Sequence, residues 1–413
     1  MIGKRVVVTG LSALTPIGNT VQESWDNLVA GVCGIGPITL FDCSAFETRI
    51  AGELKNFDPT AYMGAKDAKR MDRFIQIAVA AGKQLMDSCG LGITEDNAAD
   101  VGIILGCGLG GLSTIEEFHS KLLHSGPRRI SPFYIPMLIA NMCAGQLSIL
   151  TGAKGPNLVT TSACASATHA IGYAFSDIKL GRTKACITGG VESTITPMGV
   201  SGFNALKALS TANDTPQAAS RPFDAERTGF IIGEGAGLLL LEELEHAKAR
   251  GATIYAEMIG YGASGDAYHI TAPEDSGTGM SLAMRGSLRD AECAPTDIDF
   301  INAHGTSTKL NDKTETKAIK LVFGDHAYKM PITANKSMIG HLLGAAGGAE
   351  AVFTTLSLHT GIVPGTINQD NPDPDCDLDY VPNASRTVNP TVGMSNSFGF
   401  GGTNASIILR RFE

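Results

Sequence analysis

The sequence predicts an α/β protein with largely buried sheets, on three observations. Short β-branched runs alternate with amphipathic or alanine-rich segments, the pattern of strands linked through crossover helices. Hydrophobic residues are 43% of 413 against 18% charged, enough apolar material to offset the entropy of ordering the chain. Three stretches, 130–153, 155–176 and 387–409, carry no Asp, Glu, Lys or Arg. None is a continuous apolar span of about 20 residues. Pro132, Pro136, Asn141 and Gln146 interrupt the first, so these segments read as buried in a large protein or at a subunit interface.

In chain order, strands are expected at 5–9, 101–105, 158–161, 185–188, 238–241, 254–259, 299–302 and 407–409. Helices are expected at 68–88, 112–124, 165–180, 242–250, 279–290, 314–323 and 342–359. The first strand is not an export signal. Gly10, Pro16 and Gly18 break the apolar run after Lys4 and Arg5, and no cleavage pattern follows.

A weak long repeat runs through these elements. Strand, glycine-rich turn and helix recur at 101–124 and 299–323. A strand entering a small-residue helix recurs at 158–180 and 332–359, and a glycine-rich turn leads into a strand at 233–243 and 399–411. Two halves are expected, 1–250 and 251–413.

Charge and cysteine usage exclude several function classes. A net charge of −9 opposes bulk affinity for nucleic acid or an anionic membrane, both of which need a basic field. The nine cysteines are scattered with no C-x-x-C pair, so a zinc site and a disulfide framework both lack their spacing. Reduced thiols and a cytoplasmic location fit. Gly106-Cys-Gly-Leu-Gly-Gly111 matches G-x-G-x-x-G after a strand, but no acidic residue stands about 20 positions on, so a dinucleotide site is not expected.

The most informative segment is Thr160-Thr-Ser-Ala-Cys164-Ala-Ser-Ala-Thr-His169. A strand ends in small polar residues and Cys164 opens a helix. The positive helix end is expected to depress the thiol pKa, and small neighbours leave room for a substrate. Cys33, Cys43, Cys89, Cys107, Cys143, Cys186, Cys293 and Cys376 lack this context and read as small hydrophobes. His304 follows a strand in Ala-His-Gly-Thr-Ser-Thr, and His341 precedes a small-residue helix. Kept neutral near helix starts, both rings are candidate N–H donors to a developing oxyanion; the alternative is two satisfied core histidines. His269 is assigned to an entrance loop. Ser-Asn-Ser-Phe398-Gly-Phe400-Gly-Gly-Thr-Asn reads as a glycine-rich turn before the last strand. Its amides and that of Cys164 are expected to form an oxyanion hole.

Four motifs in this order carry a resemblance: Thr-Ser-Ala-Cys164, Asn-Ala-His304-Gly-Thr-Ser-Thr308, Asn-Lys336-Ser-Met-Ile-Gly-His341 and Asn-Ser-Phe-Gly-Phe400-Gly-Gly-Thr-Asn. Over nearly its whole length the chain resembles the β-ketoacyl-acyl-carrier-protein synthases, most of all the elongating synthase II type of dissociated fatty-acid synthesis. The resemblance implies a thiolase-like duplicated five-layer αβαβα fold and a homodimer. It implies a decarboxylative Claisen condensation of an acyl-enzyme with malonyl-acyl-carrier protein, giving 3-oxoacyl-acyl-carrier protein and carbon dioxide. Cys164 is then the nucleophile, and His304 and His341 bind the malonyl thioester carbonyl. Lys336 supports the site electrostatically in contact with Glu350. Phe400 is the gate, its amide in the oxyanion hole with that of Cys164. Thr306, Thr308 and Thr271 contact the substrate arm. No cofactor or metal is implied, because the substrates arrive on the phosphopantetheine arm of acyl carrier protein. The sequence departs from the family at Lys309 and Asn311, where Pro and Gly are usual, which leaves the entrance rim open.

The carrier protein is itself acidic, so docking on an acidic chain needs a local basic patch. Lys66, Lys69, Arg70 and Arg73 recur at helical spacing, with Arg128, Arg129 and Lys207 as further candidates. Other readings fit less well. A thiolase needs a second cysteine in the C-terminal turn, an initiating condensing enzyme has Asn in place of His341, and a non-catalytic partner subunit has no use for Cys164. A papain-like hydrolase leaves Lys336 to His341 unexplained. A polyketide ketosynthase shares the triad and stays the nearest rival.

Overall fold

The central strands are buried on both faces, and alternate residues along them enter different cores. The computed structural model of the chain describes residues 3–413. Its large sheet assembly contains β1 (Val6–Leu14), β2 (Val101–Gly106), β3 (Asn157–Thr160), β4 (Ala185–Glu192), β5 (Gly235–Glu243), β6 (Ala256–Gly265), β7 (Phe300–Asn302), β8 (Ile332–Thr333), β9 (Val392–Gly399) and β10 (Thr403–Arg411). The N-terminal strands lie in the order β3-β2-β4-β5-β1 and the C-terminal strands in the order β8-β7-β9-β10-β6. Renumbered within each half, both orders read third, second, fourth, fifth, first. Within each half the first two pairings are parallel and the last two antiparallel. The two sheets meet only where β1 pairs with β6, at Val6↔Met258, Val7↔Glu257 and Val8↔Ala256.

The helices fill three layers. Those that place the site are α1 (Arg73–Cys89), α2 (Leu112–Ser125), α3 (Met142–Thr151), α4 (Ser166–Lys179), α5 (Thr278–Asp290), α6 (Lys309–Phe323) and α7 (Ala346–Thr360). α1 packs on β1, β4 and β5 from outside, with α3 beside it. α5 covers β6 and β10 on the opposite outer face, with α6 beside it. α4 and α7 lie between the sheets and touch strands of both. In β5, Ala236, Leu238 and Leu240 join the outer core with Phe74 and Ile77 of α1, while Leu239 and Leu241 join the central core with Phe175 and Phe353. In β10, Ile407 and Leu409 face the central core and Ile408 the far one. A period-2 strand between two apolar layers needs this double-sided hydrophobicity. Each fully buried Leu or Ile contributes about 1.5–3 kcal/mol. The chain is therefore a five-layer αβαβα protein.

Several elements differ from the expectation. The segment around 395–398 is not a turn but the end of β9, and Ser395, Asn396 and Ser397 are buried. Polar residues in a strand between two layers hide its signal. The helix expected at 68–88 is two pieces, Ala65–Ala68 and α1, because the Asp72 carboxylate accepts from Phe74 N–H and starts a new helix. The helix expected from 342 opens with a 3₁₀ turn, Leu343–Ala345, before α7. Of the two readings of the uncharged stretch 130–153, burial within the chain holds only in part: Ile135 is 55% and Ile149 75% accessible, which leaves the subunit-interface reading for them. β3 is an edge strand whose Leu158 is 40% exposed. Among the described residues, no helix is long and apolar enough to cross a membrane.

Candidate active site

Cys164 sits in an elbow between β3 and α4. Ala163 holds a left-handed φ of +49°. Ser166 Oγ stabilises this strained bend, donating to Ala163 O at 2.7 Å and accepting from Ser162 N–H at 2.9 Å. β9 presses on the elbow from the other half. A Cβ at Gly399 would lie 3.1 Å from Cys164 N and 3.0 Å from Ser162 O, so glycine permits this close approach. Phe400 N–H donates to the Cys164 sulfur.

The expected depression of the Cys164 pKa is not found. Burial pushes the thiol up to about 12, against the opposing pull of Lys336 and the Phe400 amide. The end of one helix delivers only partial charge, and in this apolar setting it does not offset the loss of hydration. At rest Cys164 is a thiol.

His304 follows β7 in a turn whose amides wrap a carboxylate: Glu315 accepts from His304 N–H and Gly305 N–H, each at 2.8 Å. Lys336 Nζ donates to His304 O at 2.5 Å and lies 3.4 Å from His304 Nδ1. A lysine donor on Nδ1 leaves the proton on Nε2. His341 is anchored by its backbone, donating to Ile231 O at 2.7 Å and accepting from Gly233 N–H at 2.8 Å. Its Nδ1 accepts from Leu343 N–H at 3.2 Å, which again leaves Nε2 protonated. That buried Nε2 has no partner among the described residues. Burial, aided by the Lys336 charge, holds both rings well below the ordinary 6.5, so both are neutral N–H donors.

The two rings stand 5.2 Å apart at 83°. One nitrogen of each and the Cys164 sulfur all lie within 4.8 Å of one another. The structure thus brings together a thiol and two imidazoles that are 140 and 177 residues away in sequence, 304 − 164 and 341 − 164. Such a trio geometrically suits a soft divalent cation, but the neighbouring Lys336 charge opposes one there.

The other expected residues take clear places. Lys336 is ion-paired with Glu350, both completely buried; burial pushes the Glu350 carboxyl up and Lys336 pulls it down. Thr306 Oγ1 and Thr308 Oγ1 are 2.9 Å apart on the wall of a cavity of about 380 Å³ that also reaches Thr271 and Phe400. The cavity runs from Cys164, His304 and His341 to Lys207 and Lys309 at its mouth. His269 accepts from the Thr271 and Ala272 amides in the rim loop, not within the cavity lining. Sequence reasoning missed Phe230, edge-on to His341 at 5.4 Å, and Phe398, 5.9 Å from His304. It also missed Glu192, whose carboxylate fills the Gly106–Gly111 turn from inside. The amides of this phosphate-like turn are thus already engaged: the anion they hold is the chain's own side chain.

On the surface, Lys66, Lys69, Arg70, Arg128, Arg129 and Lys207 are exposed. Arg70 lies over Phe133 at 4.5 Å, which sets the 66–70 turn beside the 127–133 segment. Lys207 is already paired with Glu47 at 3.0 Å. Arg73 does not belong with them. The helix break at Asp72 turns it inward, where it pairs with buried Glu234 at 2.6 Å.

Comparison with known proteins agrees with this geometry. Residues 3–247 match the family model described as beta-ketoacyl synthase, N-terminal domain, and residues 255–370 its C-terminal domain. A protein named 3-oxoacyl-[acyl-carrier-protein] synthase 2 from Vibrio harveyi is 52% identical over 412 residues, covering 100% of this chain and 99% of the relative. The solved ishigamide ketosynthase/chain length factor superposes with a TM-score of 0.92 at 36% identity, covering 100% of both chains. A type II PKS ketosynthase, solved with its acyl-carrier protein and bound to the hexaketide, has a TM-score of 0.90 at 32% identity over 100% of both chains. Two matched halves, one bringing the thiol and the other both imidazoles, place this chain in the β-ketoacyl synthase family.

Proposed function

We propose that the chain condenses an acyl group held on Cys164 with a malonyl group delivered by acyl carrier protein, releasing carbon dioxide and 3-oxoacyl-carrier protein in fatty-acid elongation. The convergence of the Cys164 sulfur and two imidazole nitrogens within 4.8 Å carries this reading. The Cys164 thiol attacks an acyl thioester while the Phe400 and Cys164 amides receive the oxyanion. Cys164 gives up its proton as its sulfur bonds to the acyl carbon, and that proton ends on the released pantetheine thiol, so the exchange is proton-neutral overall. The malonyl thioester oxygen then accepts from the two Nε2–H groups. These stabilise the enolate formed as carbon dioxide departs, and its carbon attacks the acyl carbonyl and expels Cys164 as a thiolate, which takes a proton from water to restore the thiol. Lys336 keeps His304 in the donating tautomer. The entrance threonines Thr306, Thr308 and Thr271 orient the arm of the carrier, and no further cofactor or metal is needed.

The carrier docks, in this reading, on Lys66, Lys69, Arg70, Arg128 and Arg129, with Lys207 at the cavity mouth. The chain works as a cytoplasmic homodimer. Support comes from the unpaired edge of β3, with Leu158 exposed on it, and from exposed Ile135, Ile149 and Leu150, apolar surface that a second copy would cover. Fatty-acid elongation is favoured over polyketide synthesis because the synthase 2 relative is 52% identical and the polyketide ketosynthase 32%. The test is to incubate the purified protein with acyl-carrier proteins of several chain lengths plus malonyl-carrier protein, and to identify products by mass. A product two carbons longer supports the reading; absence of condensation with every acyl donor overturns it.

A further inference from the structure

Glu192 ends β4 and is completely buried. Its Oε2 accepts from Gly108 N–H at 2.7 Å and from Gly344 N–H at 3.2 Å; its Oε1 accepts from Leu109 N–H at 3.3 Å and Gly110 N–H at 3.4 Å, with the Cys107 thiol at 3.7 Å. The carboxylate thus joins the turn after β2 to the turn after His341. The fit is tight. A Cβ at Gly108 would sit 2.6 Å from Glu192 Oε2, and one at Gly344 would sit 2.2 Å from Gly108 N.

The second turn carries strain. Leu343 adopts a left-handed φ of +48°, costly for a branched side chain. Its amide is the donor to His341 Nδ1, and the next amide, Gly344, is the one Glu192 holds. The His341 backbone is fixed separately by Ile231 and Gly233, so the Glu192 contact bears on the ring and not on the place of the residue.

We propose that Glu192 is a positioning residue for His341: by holding Gly344 N–H it keeps Leu343 in its strained turn, and so keeps the His341 ring with Nε2–H aimed at the malonyl thioester. This rests on the condensing reading above. Glu192 touches no reacting atom. Replacing one acceptor oxygen by an amide NH₂ places donor against donor and releases the Leu343–Gly344 turn.

The test separates two half-reactions. In Glu192→Gln, transfer of an acyl group to Cys164, read by protein mass, stays within about threefold of wild type, while malonyl decarboxylation falls about 10²-fold, the effect of losing one oxyanion donor. In a His341→Ala background, Glu192→Gln adds no more than about twofold, because its effect passes through that ring. Equal loss in both half-reactions, or a further 10²-fold loss in the His341→Ala background, overturns the proposal. Wild-type decarboxylation rates in Glu192→Gln overturn it as well. Should Glu192→Gln not fold, Glu192→Asp is read the same way, since it keeps the charge and shortens the reach. A wild-type protein that does not decarboxylate malonyl-carrier protein refutes the condensing reading itself, which keeps the two failures distinct.

Discussion

The turn after β2 and the turn after β7 occupy corresponding places in the two halves and do different work. Both wrap backbone N–H groups around a buried carboxylate. The N-terminal turn holds Glu192 from the neighbouring strand β4, and the C-terminal turn holds Glu315 from the following helix α6. Burial pushes both carboxyls up to about 7 despite those donors. Between strand and cradle, the N-terminal turn carries Cys107, whose thiol faces Glu192 and is driven far above the ordinary range. The C-terminal turn carries His304, which faces the cavity. A duplicated scaffold therefore supplies the same bend twice. The side chain placed in it, and the direction from which its carboxylate arrives, decide whether the bend braces the fold or lines the cavity. The N-terminal half contributes its chemistry one crossover later, at Cys164.

Removing the thiol of the cavity breaks the comparison most completely. Cys164→Ala is expected to abolish both the acyl-enzyme and condensation, a loss on the order of 10⁴-fold or more; normal product formation would show that the N-terminal half holds no chemistry. Next come the donors of the C-terminal half. His304→Ala and His341→Ala should each lower malonyl decarboxylation by about 10²–10³-fold while the acyl-enzyme still forms. Wild-type decarboxylation in either variant removes that ring from the site.

A smaller effect is expected from the brace. Gly108→Ala pushes a methyl against the Glu192 carboxylate and should cost about 1–3 kcal/mol of stability, read as a lower denaturant midpoint. An unchanged midpoint would mean the cradle is not tight.

Acid should expose the neutral histidines. Their folded pKa values are depressed, so below the ordinary 6.5 the unfolded chain takes up protons that the folded chain refuses. This contribution to stability is present above 6.5 and lost as pH falls. The loss of stability between pH 7 and pH 5 should shrink in His341→Asn, and an identical loss would show that the ring is charged in the folded protein. The smallest effect concerns the surface. Reversing Lys66, Lys69 and Arg70 to Glu, each exposed pair worth up to ~1 kcal/mol, should raise the carrier-protein KM several-fold and weaken its salt dependence. No change in KM would remove the patch from docking.

Much of the site was legible because its chemistry needs unusual local sequence. A cysteine among small residues at a helix start, and histidines beside glycine turns, stand out without any long-range information. The thiol pKa was not legible, since it depends on the layers packed around Cys164 rather than on the helix behind it. Nor was the end of β9, whose Ser395-Asn396-Ser397 looks like a loop until two layers bury it. Arg73 has the spacing of a surface residue, yet its partner Glu234 lies 161 residues away.

From the sequence alone came the α/β class, the doubled order of elements and the identity of the thiol and imidazoles, because periodicity and turn chemistry are local properties of the chain. Only the tertiary structure decided that these groups meet, that the thiol rests protonated, and that Glu192 closes the glycine turn against Gly344. Those outcomes depend on desolvation and on contacts between segments 82 to 177 residues apart, which no local pattern encodes.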